Sequence, residues 1–293
     1  MKVTFIVVYS STEPNTIYDP KSWPHRDREL EDVILEGTLS LLNQISTIPI
    51  DKEILLMDNS GDFPDDFHCD DLKVVKAYGS WSDIEMSENK FIFDSIDDII
   101  PDKMSNSNAT TSTSLAFQHG VILSTGDYII MQHNDTEYLF DYYDKAEVIL
   151  DAIELLEKNN YEYITIDKKR IKNKDYIEWN DKIEYYADCY WFLCKSDFYK
   201  KHNIWVDWTR GDTNHLSTIT CVNKGLKFLH LPFFYEGDEI LIENDTKQKL
   251  IEFNSNYPEL KTTGKNYHLL NDIPFLAHCK GGTGLRRFLR KNR

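Results

Sequence analysis

The sequence predicts an α/β fold, with a central and mainly parallel sheet flanked by helices. Three stretches carry that prediction. Val3–Tyr9 (VTFIVVY) is an unbroken β-branched and aromatic run, which suits a strand covered on both faces. Leu30, Val33, Ile34, Leu41, Leu42 and Ile45 then recur at helical spacing, giving an amphipathic helix over about residues 29–45. Residues 53–57 (EILLM) form a second buried strand. Strand, helix and strand at this spacing imply parallel neighbours joined by a crossover.

The remaining elements follow from the same patterns. Residues 10–28 are polar and hold prolines, a loop long enough to suggest a function. Residues 72–77 read as a third strand. A short helix is expected near 91–100, followed by the Ser/Asn/Thr-rich loop SNSNATTSTS. That loop leads into a helix over 112–123, with a serine or threonine cap. Gly126-Asp127 turns the chain into a strand at 128–132, and a long acidic helix is expected over 142–159. Strands at 163–166, 189–195 and 226–231 and a helix over 212–223 complete the reading. There is no internal repeat and no long low-complexity linker, so one domain over 1–293 is expected.

Composition narrows the function. Asp and Glu outnumber Lys and Arg 49 to 33, a net charge of −16. Such a field repels a phosphate backbone, which excludes nucleic acid as the expected partner. The cysteine count is odd, at five, and no Cys-x-x-Cys pair occurs. Reduced thiols in a cytoplasmic protein are expected. The N-terminal stretch lacks a signal-peptide pattern, and no run approaches the roughly 20 apolar residues of a membrane span.

Function is expected just beyond the carboxyl ends of the strands, where open parallel sheets bind ligands. The first strand ends at Tyr9-Ser10-Ser11, the second at Asp58-Asn59-Ser60, and the fourth at His133-Asn134-Asp135-Thr136. No dinucleotide glycine fingerprint follows the first strand, and no Gly-x-x-x-x-Gly-Lys-Ser/Thr loop is present. Phosphates would therefore need another counter-charge. A metal on Asp135, with His133 beside it, would supply one; a plain turn cap is the alternative for Asp135.

Four stretches also resemble a known family. VTFIVVYS, GTLSLLNQI, EILLMDNSGD and TSLAFQHGVILSTGDYIIMQHND follow, in order, the pattern of a GT-A fold glycosyltransferase close to glycosyltransferase family 2. The match covers roughly the first 135 residues, with weaker echoes to residue 232. The resemblance implies a nucleotide-sugar-binding half over about 1–135 and an acceptor-binding half over about 136–279. It implies that Asp58 bonds the nucleotide base and that Tyr9 and Ser10 line the nucleoside pocket. Asp135 falls on the second aspartate of the Asp-x-Asp motif, which holds the metal bridging the diphosphate. His133 replaces the first aspartate, and Gln118 stands where asparagine is common. Imidazole suits Mn²⁺ better than Mg²⁺, so a Mn²⁺ preference is expected. Activity should fall as His133 protonates, near about pH 6.5 for an ordinary imidazole.

An inverting transferase needs a carboxylate to take the acceptor hydroxyl's proton. The family's Glu-Asp pair is matched in part by Gly211-Asp212, making Asp212 the candidate base; a helix N-cap is the other reading, and Asp207 is the rival residue. His278 is the candidate late histidine of the metal site, against His230, whose apolar flanks suggest a core position. Trp191, Trp205, Trp208, Tyr185 and Tyr186 supply either an acceptor wall or core packing. The basic tail, 280–293, either docks on an anionic membrane carrying a lipid-linked acceptor or packs as a terminal helix. The expected activity is transfer of a sugar from a nucleotide-diphosphate sugar to a glycan or lipid-linked hydroxyl. A catalytically inactive sugar-nucleotide or glycan-binding module is the alternative. A nucleotidyltransferase is disfavoured, because no early glycine-rich loop with a basic residue is present.

Overall fold

Every residue of β1 (Val3–Tyr9) is buried, as a strand inside a two-faced sheet must be. The computed structural model describes residues 1–9, 28–58, 61, 63–76, 108–166, 186, 187, 189–206, 214–235, 252–262 and 266–278. After β1 come α1 (Arg28–Ser46), β2 (Lys52–Asp58), β3 (Leu72–Lys76), α2 (Asn108–Leu123), β4 (Tyr128–His133) and β5 (Thr136–Tyr138). Then follow α3 (Val148–Asn159), β6 (Tyr163–Thr165), β7 (Trp191–Lys195), α4 (Phe198–His202), α5 (His215–Lys224), β8 (Leu229–His230) and β9 (Phe233–Tyr235). A 3-10 turn at Pro258–Thr262 precedes the hairpin of β10 (Asn266–Leu270) and β11 (Ile273–His278).

Seven strands form the central sheet in the order β3-β2-β1-β4-β7-β6-β8. β3, β2, β1 and β4 are mutually parallel, β7 runs against both its neighbours, and β6 and β8 are parallel. The sheet is mainly parallel and flanked by helices, as the sequence predicts.

Alternation along the strands divides the core in two. Phe5, Val7, Leu56, Ile130 and Leu193 face one side, where Leu41, Leu42 and Ile45 of α1 and Ile149, Ala152 and Leu156 of α3 cover them. Ile6, Val8, Met57, Met131 and Phe192 face the other, under Ala116 and Phe117 of α2, Tyr199 of α4 and Cys221 of α5. The gaps are narrow. A Cβ on Gly126 would lie 2.7 Å from the Thr4 backbone nitrogen, so the turn before β4 accepts glycine alone.

A second sheet, ordered β5-β11-β10-β9, is antiparallel throughout. The sequence reading contains none of its four strands. Gln44 of α1 closes its β5 edge: the side-chain amide donates to the Tyr138 carbonyl at 3.0 Å, and its oxygen accepts the Tyr138 N–H at 2.8 Å. One residue thus serves as a strand partner.

Element boundaries moved for identifiable reasons. The helix expected from residue 142 starts at Val148, because Asp144 Oδ1 takes the Ala146 N–H at 2.6 Å and holds a turn in its place. Its end is as expected, closed by Asn160 in the left-handed conformation (φ 54°). α2 begins at Asn108, so the end of the Ser/Asn/Thr-rich stretch is helical and not loop. The strand expected at 226–231 shrinks to Leu229–His230, and the helix expected from 212 is described from His215. The short helix expected near 91–100 lies outside the described residues.

Cys69, Cys189, Cys194 and Cys221 are free thiols, and burial pushes the Cys221 thiol up to about 12. Among the described residues no helix is long and apolar enough to cross a membrane.

An ion-pair cluster ties α4 to β6. Lys201 Nζ lies 2.8 Å from Glu162 Oε1, and His202 Nε2 lies 3.1 Å from Oε2. Burial alone would raise the Glu162 pKa. The bonds and charges of Lys201 and His202 outweigh it and hold the carboxyl below its ordinary value. A depressed folded-state pKa gives stability that is present above the unfolded pKa and lost as pH falls through the folded one. Glu162→Gln is therefore expected to cost about 1 kcal/mol at pH 7. The gap should close in acid, and urea unfolding at pH 7 and pH 3 measures it.

Candidate functional site

β1, β2 and β4 end level with one another, because their register is continuous. Tyr9 pairs with Asp58, and Val8 pairs with His133. Three of the expected site residues therefore stand side by side at the carboxyl edge of the sheet.

The chain then folds tightly beyond β4. The Thr136 hydroxyl donates to the His133 carbonyl at 2.7 Å. The Asn134 amide donates to the Thr38 hydroxyl of α1 at 3.0 Å. Behind the turn lies a buried polar chain with one direction. The Trp191 indole donates to the Tyr138 hydroxyl (3.1 Å), Tyr138 donates to Gln132 Oε1 (3.0 Å), and Gln132 Nε2 donates to the Thr136 hydroxyl (2.8 Å). Every member is 4 % exposed or less. Fully satisfied networks of this kind fix one geometry.

The second sheet brings in His278. In the β5–β11 ladder, His278 pairs with Thr136, the residue after Asp135. His278 Nε2 lies 3.3 Å from Asp135 Oδ2, with the two side chains 4 % and 16 % exposed. Asp135 Oδ1 is buried and has no hydrogen-bond partner among the described residues. Burial would raise the Asp135 pKa, but the His278 imidazole and the His133 charge outweigh it and hold the carboxyl below its usual range. Asp135 is thus a partly buried anion whose buried oxygen is open.

Rings complete the wall. His133 stacks on Phe117 at 5.5 Å between centroids and tilts against Tyr190 at 4.6 Å. The Tyr190 ring lies 4.0 Å from His278, and His268 lies 6.4 Å beyond. Burial, and then the nearby His278, push the His268 imidazole well below its ordinary pKa.

Other expected residues have different surroundings. Asp58 is fully buried, and its oxygens accept the Gly61 N–H at 2.7 Å and the Phe63 N–H at 3.2 Å, so it holds the turn after β2. Tyr9 is 4 % exposed and packs edge-on against Phe63. Gln118 accepts the Val206 N–H at 2.9 Å, bracing α2 against the chain beyond α4. His230 lies near Tyr163 on β8, at the far edge of the sheet, so His278 and not His230 meets Asp135. Trp191 and Tyr186 are core residues and not an acceptor wall. Ser10, Asp207, Trp208, Tyr185, the candidate base Asp212 and the 280–293 tail lie outside the described residues.

Sequence reasoning missed Tyr190, Thr38 and the Gln132–Thr136–Tyr138 chain. One signal was available: a glutamine inside an otherwise apolar strand needs a buried partner.

The residues fit a divalent cation in part. Adjacent ligands of an octahedral ion with bonds near 2.1 Å sit about 3 Å apart, close to the Asp135–His278 separation. Among the described residues no cluster of three or more His, Cys, Asp or Glu is arranged to hold a metal. The pair by itself could supply two ligands.

Neither a protein-family model nor a curated protein matches the chain. Solved structures similar to it include TarS 1–349 of S. aureus, at 10 % identity and a TM-score of 0.39, covering 75 % of this chain and 54 % of that one. The galactosyltransferase LgtC, in complex with donor and acceptor sugar analogues, is 10 % identical with a TM-score of 0.37, covering 69 % and 60 %. The 4-diphosphocytidyl-2C-methyl-D-erythritol synthase of Anaerococcus prevotii is 13 % identical with a TM-score of 0.37, covering 87 % and 96 %. The chain spans about half the length of TarS 1–349. All three scores lie below one half, so the functional reading rests on the site's own geometry.

Proposed function

We propose that the protein is a metal-dependent, inverting glycosyltransferase that moves a sugar from a nucleotide-diphosphate donor to a glycan or lipid-linked hydroxyl. The observation that carries the reading is the Asp135–His278 pair, just past the end of β4, whose last residue His133 stands level with the ends of β1 and β2. A crevice beyond such strand ends is where an α/β sheet takes nucleotides.

Asp135 and His278 would hold the cation, and the imidazole favours Mn²⁺ over Mg²⁺. When bound, the ion would neutralise charge developing on the departing diphosphate. The chain's own residues do the rest. Asp58 shapes the turn against which the nucleoside would lie, and Tyr9 and Ser10 are the proposed lining residues of that pocket. The bonds of Thr38 and Thr136 keep the Asp135 turn in place before substrate arrives, so little reorganisation accompanies the reaction. Asp212 is the proposed base for the acceptor hydroxyl. The basic tail is proposed to meet an anionic membrane surface where the acceptor is lipid-linked.

A thermal-shift screen against UDP, GDP, CDP and dTDP, with and without Mn²⁺, tests this. A ligand at 100 times its dissociation constant adds about 2.7 kcal/mol. Stabilisation by one nucleotide, dependent on Mn²⁺, is expected; no shift with any of the four sinks the proposal.

A further inference from the structure

The ring at position 133 has a position that a carboxylate cannot take. His133 lies between Phe117, on which it stacks, and Tyr190, whose other neighbour is His278. The His133 N–H also donates to the Tyr190 carbonyl at 3.2 Å, and its own carbonyl takes the Thr136 hydroxyl. Backbone and ring thus both hold Tyr190. Tyr190 is wedged between two imidazoles, with centroids 4.6 Å and 4.0 Å away. If the ring of His133 is removed, Tyr190 loses the surface behind it, and His278 loses the wall that faces it.

We infer that His133 is a positioning residue, not a metal ligand: its ring seats Tyr190 against His278 and so sets that imidazole on Asp135. The inference rests on the metal–nucleotide reading above and deepens it. It explains what an imidazole does at this place. Aspartate there would have no face to stack and would put a second negative charge near Asp135, raising the cost of keeping both ionised. Phenylalanine keeps the shape and gives up the nitrogens. The requirement is for a flat ring.

The test measures Mn²⁺ binding by calorimetry, in the presence of whichever of the four nucleoside diphosphates stabilises the wild type. His133→Phe should bind within about threefold of wild type. His133→Ala and His133→Asp should lose about tenfold or more, the loss typical when support behind a metal ligand is removed. Asp135→Asn is the control for the underlying reading. Unfolding of each metal-free variant separates binding loss from loss of fold. A folded His133→Phe that loses as much as His133→Ala overturns the inference, because the nitrogen is then required. Wild-type affinity in His133→Asp overturns it too, and in both cases loss in Asp135→Asn leaves the metal site standing. Where His133→Asp does not fold, the phenylalanine and alanine variants decide. No response in the wild type overturns both.

Discussion

Asp135→Asn is expected to abolish the Mn²⁺-dependent part of any nucleotide stabilisation while leaving the fold intact. The substitution is nearly isosteric, and the Asn134 and Thr136 bonds that hold the turn do not involve residue 135. What changes is charge. Asp135 offers a buried oxygen without a hydrogen-bond partner among the described residues, and it is held ionised by neighbouring imidazoles. A neutral amide there supplies a weaker ligand and turns a donor toward His278. A stabilisation of about 2.7 kcal/mol in the wild type, seen as a rise of several degrees in Tm, should fall to nothing. His278→Ala should behave likewise, since it removes the second ligand. A Mn²⁺-dependent shift of wild-type size in Asp135→Asn would place the cation elsewhere.

Gln132→Leu is expected to be the most damaging single change to the fold near the site. The side chains are close in size, so the transfer and cavity contributions are small. The loss is polar. The Tyr138 hydroxyl loses its acceptor, and the Thr136 hydroxyl loses the amide that donates to it, both in places with almost no water. Each buried group left unsatisfied costs about 1–3 kcal/mol, so a loss of about 3 kcal/mol is expected. At about 2–4 °C per kcal/mol this lowers Tm by about 6–12 °C. Thr136→Val leaves both the His133 carbonyl and Gln132 Nε2 without their partner and should come close to the same cost. A Gln132→Leu protein as stable as wild type would show that the buried chain has no mechanical role.

Much of the central sheet was legible because its strands are buried on both faces. Burial of that kind writes a continuous apolar run, as in Val3–Tyr9 and Lys52–Asp58, with a helix of clear period between them. The positions of Asp58, His133 and Asp135 at strand ends followed from those runs. The second sheet was not legible. β5 has only three residues, its partner β11 lies more than a hundred residues on, and β10 breaks register between His268 and Leu269. No local pattern encodes a pairing between segments so distant. For the same reason His278 could be named from the sequence, but its contact with Asp135 could not be derived there. Tyr190 was invisible because a tyrosine beside a strand looks like any core aromatic. The depth of Asp58 was missed because a turn aspartate reads equally well as a ligand or as the residue that ties its own loop.

The Gln44 amide against Tyr138 has a consequence for solubility. β5 is the last strand of its sheet, and an outermost strand with open N–H and C=O groups is a template on which another molecule's strand can grow. Here the N–H and C=O of Tyr138, at the end of β5, are already occupied by a side chain anchored on a helix, which offers no continuation. A glutamine in this place acts as a stopper against fibre growth. Shortening it to alanine would strip both Tyr138 groups of their partner and open a docking edge, a defect that light scattering at high concentration would register.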